Sequence, residues 1–127
     1  MQRLFLALAG LNGFLAVALG AFGAHGLRQR LANLYDGVER LDWWRTAATY
    51  HLAHALGLGL VAVLFARAES TALSLAGWAF LVGIALFSGS LYTMVLTGVR
   101  GLGAVTPIGG LAFLVGWAAL TWAAFQN

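Results

Sequence analysis

Apolar positions dominate this chain, so the informative marks are the interruptions. Charged residues divide it into four uncharged runs: Leu4 to Leu27, Thr46 to Ala66, Ser70 to Val99 and Gly101 to Asn127. A helix that crosses a bilayer needs about 20 mostly apolar residues, so each run predicts one crossing. The expected elements are helices at about 4–27, 46–66, 70–97 and 104–124, forming an all-α, four-transmembrane-helix up-and-down bundle as a single domain over residues 1–127.

The first run carries Gly13, Ala16, Gly20 and Ala24 at spacings of three or four, a small-residue stripe suited to close helix packing. Asn12, near the middle of that run, is placed to hydrogen-bond to another helix. Residues 28–45 form the one substantial loop and hold Arg28, Arg30, Asp36, Glu39, Arg40, Asp42 and Arg45. Leu34, Val38 and Leu41 recur among these charges at helical spacing, so part of the loop is expected to lie as an amphipathic helix in the headgroup region. Trp43 and Trp44 then mark the water–lipid boundary, as Trp122 does near the other end of the chain. Arg67-Ala68-Glu69 makes a tight turn, and Gly98 to Gly103 lead into the last helix, whose first turn accommodates Pro107.

Composition points the same way. Hydrophobic residues make up 61% of the chain and charged ones 9%, against about 25% charged in ordinary soluble domains. The net charge of +3 comes from arginines spread singly along the membrane edges, not from a basic block with interleaved aromatics, so nucleic-acid binding is not expected. The absence of cysteine excludes disulfides and thiolate metal sites. The first apolar run is about twice as long as the roughly 7–15 residues of a signal-peptide core and is read as a retained helix. Arg28, Arg30, Arg40, Arg45 and Arg100 fall on the long-loop side and Arg3 and Arg67 on the other. The positive-inside rule therefore favours a cytoplasmic long loop with both termini outside.

An up-and-down topology also predicts a juxtaposition that no linear motif displays. At about 1.5 Å per residue, His25 lies about 4.5 Å before Arg28, while His51 and His54 lie about 9 and 13.5 Å past Arg45. Ser88, Ser90, Tyr92 and Thr106 fall in the same half of the membrane. Tyr50, His51 and His54 share a broad face of helix 2. Ser88 and Tyr92 share a face of helix 3 while Ser90 points away, and Thr106, Gly109 and Gly110 line one side of helix 4.

Ionisable groups inside a membrane are candidates for function, and three histidines near one mouth suit proton exchange, an anionic headgroup or a metal. They also suit hydrogen bonding between helices. His51 and His54 are spaced to approach one ion, with His25 as a third ligand, but no intramembrane carboxylate or cysteine completes a familiar set, so neither metal nor cofactor is expected. Every acid lies outside the runs, and Phe87-Ser88-Gly89-Ser90 lacks the nucleophile elbow, so no catalytic residue is assigned.

Four segments carry a resemblance. Gly20-Ala21-Phe22-Gly23-Ala24-His25, Tyr50-His51-x-x-His54-Ala55-Leu56, Phe87-Ser88-Gly89-Ser90-Leu91-Tyr92 and Thr106-Pro107-Ile108-Gly109-Gly110 stand in the order found in the YgdD/YwdK family. That family of small bacterial inner-membrane proteins, related to eukaryotic transmembrane protein 256, is a domain of unknown function. The resemblance implies four spans and a multi-pass location in the bacterial plasma membrane, and carries no activity, substrate or catalytic residues.

The sequence therefore predicts a non-enzymatic integral membrane protein embedded in the lipid bilayer, self-associating or part of a larger membrane complex. Its one-sided cluster of His25, Tyr50, His51, His54, Ser88, Ser90, Tyr92 and Thr106 suits a small ligand, a proton or a lipid headgroup. The alternative is an accessory or scaffold subunit in which the cluster is internal hydrogen bonding.

Overall fold

The computed structural model describes residues 1–126. Four long helices cross in alternating directions: α1 (Gln2–Leu31), α2 (Gly37–Phe65), α3 (Thr71–Thr97) and α4 (Thr106–Ala123). Each is apolar enough to span a membrane, and no strand occurs among the described residues. The central pair is α2 and α3, with α1 laid along α2 and α4 along α3.

The stretch expected as a long loop is mostly helical. Helix α1 runs on to Leu31, and α2 begins at Gly37 and continues unbroken into the membrane, so only residues 32–36 connect them. No separate amphipathic helix forms between them among the described residues. Of the expected apolar triplet only Leu41 is buried, whereas Leu34 and Val38 are exposed.

Charge pairing lets α2 extend beyond the membrane. Arg40 donates from Nε to Asp36 at 2.9 Å and from a terminal nitrogen to the Val95 carbonyl at 3.2 Å, capping the last turn of α3. Arg100 forks onto Glu39, with its closer contact at 3.0 Å, and reaches Asp36 at 3.3 Å. Its guanidinium also lies 5.1 Å from the centre of the Trp43 ring. The start of α2 is thus clamped to the turn between α3 and α4. That turn needs Gly98, which ends α3 at φ +74° and donates its N–H to Met94 at 2.8 Å. At the opposite end, the Ser70 hydroxyl accepts the Leu73 N–H at 3.0 Å and starts α3.

In the membrane half away from the long loop, the core is apolar, built from Phe5, Leu58, Val61, Phe65, Leu73 and Phe80. Its rings sit in glycine notches. Phe5 meets Gly77, Phe113 meets Gly83, and Phe80 meets both Gly57 and Gly116. A β-carbon at Gly77, Gly83 or Gly116 would overlap the facing ring. Small residues that admit a neighbour are a main source of packing energy where lipid supplies no hydrophobic drive between helices.

Two helices contain a π-helical turn, Gly23–Leu27 in α1 and Ile84–Ser88 in α3. Such turns insert an extra residue and re-aim the side chains that follow. At the first, Trp44 of α2 crosses Gly23 and donates its indole N–H to the Leu19 carbonyl at 2.7 Å. Trp44 is therefore a buried interhelical strut and not the boundary marker expected of it. At the second, the α4 backbone at Gly109 lies directly against the backbone of Phe87.

Candidate functional site

Most of the polar residues singled out above form a seam through the long-loop half of the bundle. His51, His54, Ser88 and Ser90 are all buried. Because α3 is sandwiched between α2 and α4, its opposite faces are both inside. The Ser88 hydroxyl donates to the Ala47 carbonyl of α2 at 2.8 Å, while Ser90 faces α4. Ser90 donates to Phe87 in its own helix at 3.0 Å, so its contact with Thr106 at 2.7 Å is completed by the threonine hydroxyl.

The partners of His51 assign its proton. Asn12 donates its amide N–H to the Leu8 carbonyl at 2.8 Å, which leaves its oxygen facing Nε2 of His51 at 3.1 Å. His51 therefore donates from Nε2, and Nδ1 accepts the Tyr92 hydroxyl at 3.3 Å. One histidine thus joins α1, α2 and α3. His54 has the opposite tautomer: Nδ1 donates to the Tyr50 carbonyl at 2.7 Å, and Nε2 accepts the Trp117 indole N–H at 3.1 Å. Its ring stacks on Phe113 with centres 3.4 Å apart, joining α2 to α4.

Both nitrogens of both imidazoles are engaged in their neutral forms. No lone pair is left pointing at open space for a metal to take, and among the described residues no group of three or more His, Asp or Glu side chains is placed to hold an ion. Tyr50 contributes its backbone to the seam, while its half-exposed ring lies beside Phe87 and Phe113.

His25 does not join this seam. It is exposed on the π-helical turn of α1. Gly23 faces Trp44, and a residue two positions further along a helix points to the opposite side. The expected small-residue stripe is not the face by which α1 packs within the chain. Ala16 is buried, but Ala24 is exposed, and nothing lies within 4 Å of where a β-carbon would stand at Gly13 or Gly20. The seam between α1 and α2 runs instead through Phe5, Asn12, Ala16, Gly23 and Leu27. On α4, Gly109 makes the close approach and Gly110 an ordinary contact with the Phe87 ring.

Trp117 and the Asp36–Arg40–Glu39–Arg100 clamp were not singled out from the sequence. The first had a signal: an indole N–H inside a membrane span must find an acceptor. The clamp joins residues about sixty positions apart, which spacing does not reveal. Within it, the hydrogen bond from Arg40 holds the Asp36 carboxyl below its ordinary pKa against the opposing pull of desolvation. The other Asp36 oxygen, Oδ1, is buried without a partner.

Four bilayer-length helices, charges confined to their ends and a polar seam closed on itself define an integral, multi-pass membrane protein. The chain belongs to the family described as "Protein of unknown function (DUF423)", whose model matches residues 19–110. A UPF0382 membrane protein of Staphylococcus epidermidis is 45% identical over 125 residues, covering 98% of both chains. UPF0382 membrane protein YwdK of Bacillus subtilis is 44% identical over 126 residues with the same coverage, in accord with the resemblance read from the four motifs. A UPF0382 membrane protein of Staphylococcus saprophyticus is 42% identical, covering 98% of this chain and 99% of its own. No solved structure matches the chain. The location is a bacterial membrane, with the bilayer as the protein's immediate surroundings.

Proposed function

We propose that this protein is a non-enzymatic membrane subunit that works by association through its outer helix faces, with the polar seam as the internal lock that keeps four helices in register. The observation that carries this reading is the closure of the seam: each ring nitrogen of His51 and His54 already has a partner within the chain. The outer helices support it. Only 11% of the most apolar stretch of α1 and 22% of that of the α4 span are buried, against 44% for α2 and 50% for α3. Partners are copies of the chain or subunits of a larger membrane complex. Gentle extraction from the native membrane followed by native mass spectrometry tests it. A fixed-ratio assembly supports association, and a lone protomer across extraction conditions refutes it.

A second reading, a binding protein for a small ligand or a proton, draws on one feature. The chain from Asn12 through His51 ends at the Tyr92 hydroxyl, on a side chain that is only partly buried. This links the membrane centre to the long-loop side. Tyr92→Phe, which removes the hydroxyl at the end of that chain but keeps the ring, separates the readings. Loss of ligand or proton exchange with an intact fold favours the second, and unchanged assembly composition favours the first.

A further inference from the structure

We propose that the groove between α1 and α2 on the long-loop side is a binding site for an anionic phospholipid, with Arg28 and Arg45 holding the phosphate and a small-residue channel receiving the upper part of an acyl chain. This goes beyond the association reading and does not depend on which partner the outer faces meet.

Two cavities meet at these arginines. One, of about 310 Å³, opens at the helical corner and is walled by Leu31, Leu34, Val38 and Leu41. The other, of about 260 Å³, runs toward the membrane interior past Gly20, Gly23, Ala48 and Thr49. Arg28 and Arg45 line both, and no other charged side chain lines either. A ligand spanning the junction therefore meets two cations and an apolar path on either side. From the arginines the inner groove reaches about 6 Å deeper along α2, to Thr49, and about 12 Å along α1, to Gly20. That depth suits the glycerol and first methylenes of a lipid, whereas a free anion would use only the mouth.

The charges are available. Arg28 has no ion pair among the described residues, and Arg45 holds only Asp42 at 3.2 Å, with both side chains more than half exposed. The two anionic oxygens of a lipid phosphodiester suit the planar guanidinium fork, and the exposed Asp42 pair is weak enough to yield to them. By contrast, Arg40 and Arg100 are consumed by Asp36 and Glu39, and Arg30 lies over the Phe22 ring outside both cavities. The open space at Gly20 keeps the inner groove unfilled. This gives the glycine a purpose that helix packing within the chain does not.

The test places the full-length protein in nanodiscs of equal phosphatidylglycerol and phosphatidylcholine, then counts retained lipid by native mass spectrometry after transfer to detergent. Wild type should retain phosphatidylglycerol selectively. Arg28→Gln and Arg45→Gln should each weaken retention about fivefold, as expected for one juxtamembrane basic side chain acting on an anionic lipid, and Arg30→Gln should leave it unchanged. Gly20→Leu keeps both arginines but fills the groove, and should also lose the lipid. Circular dichroism verifies each fold, and because Gly20→Leu alters no charge, it carries the test independently of the arginine variants. Equal retention of the two lipids, wild-type retention in Arg28→Gln, or wild-type retention in Gly20→Leu overturns the proposal. Displacement of the lipid by millimolar inorganic phosphate also overturns it, in favour of a free-anion site.

Discussion

The indole N–H of Trp117 donates to Nε2 of His54 at 3.1 Å, and the opposite nitrogen of the same ring donates to Tyr50 at 2.7 Å. A histidine that reads in the sequence as a free ligand is thereby fully occupied, and its tautomer is set by a tryptophan 63 residues away. Trp117→Phe keeps the aromatic body but leaves the acceptor unpaired. A loss of about 1 kcal/mol is expected, measured by reversible unfolding in mixed micelles. His54→Ala should cost more, roughly 2–4 kcal/mol, because it also empties the stack against Phe113. Wild-type stability in Trp117→Phe would show that the bond is not formed.

Asn12 and His51 should be energetically coupled. A double-mutant cycle with Asn12→Ala and His51→Ala isolates that pair, and the expected coupling is about 0.6 kcal/mol, the typical value for interhelical hydrogen bonds in membranes. Strict additivity would mean that the Asn12 amide does not hold the His51 ring.

Two glycines on outer helices should respond oppositely to the same change. At Gly109 an added β-carbon meets the Phe87 backbone, which is not free to rotate away, so Gly109→Ala should destabilise by roughly 1–3 kcal/mol. At Gly13 nothing stands in the way, and Gly13→Ala should be neutral or stabilise by about 0.5–1 kcal/mol. Equal effects at the two positions would contradict the contact between α3 and α4 described above.

The clamp at the helical corner predicts an acid-sensitive step. Asp36 has a lowered pKa in the folded protein, chiefly through its bond to Arg40, so the unfolded chain takes up the proton first. Its stabilising effect is complete above the unfolded value near pH 4 and disappears as pH falls through the lower folded value. Thermal unfolding followed downward from pH 5 should show a falling midpoint, and Asp36→Asn should flatten that slope. An unchanged slope in the variant would place the acid sensitivity elsewhere.

Orientation is open to a direct measurement because the chain has no cysteine of its own. Tyr35, 95% exposed at the corner, is a suitable place to introduce one. Arg28 and Arg30 lack ion pairs on that side, which favours a cytoplasmic corner under the positive-inside rule. Tyr35→Cys should react with a membrane-impermeant maleimide only after the membrane is opened, and labelling in intact cells would invert the topology.

The fold was legible because spanning a bilayer is a demand on composition and length, and both are written along the chain. Four uncharged runs predict four helices whatever their neighbours are. The corner was less legible. Asp36, Glu39 and Arg40 read as marks of a solvated loop, because a sequence shows charges but not the Val95 carbonyl and Arg100 that absorb them across the fold.

The one-sided placement of His51, His54, Ser88, Ser90 and Thr106 also followed from sequence, since depth in an up-and-down bundle is residue count times helical rise. Depth is a one-dimensional quantity, but partnership also needs helix phase, and two π-helical turns alter that phase within α1 and α3. The sequence by itself therefore determined the number of crossings, their order and the level of each polar group. Only the tertiary structure decided which way those groups face: His25 outward, His51 toward Asn12, His54 toward Trp117. Hydrogen bonds depend on direction over about 3 Å, whereas hydropathy is summed over whole turns and carries no direction at all.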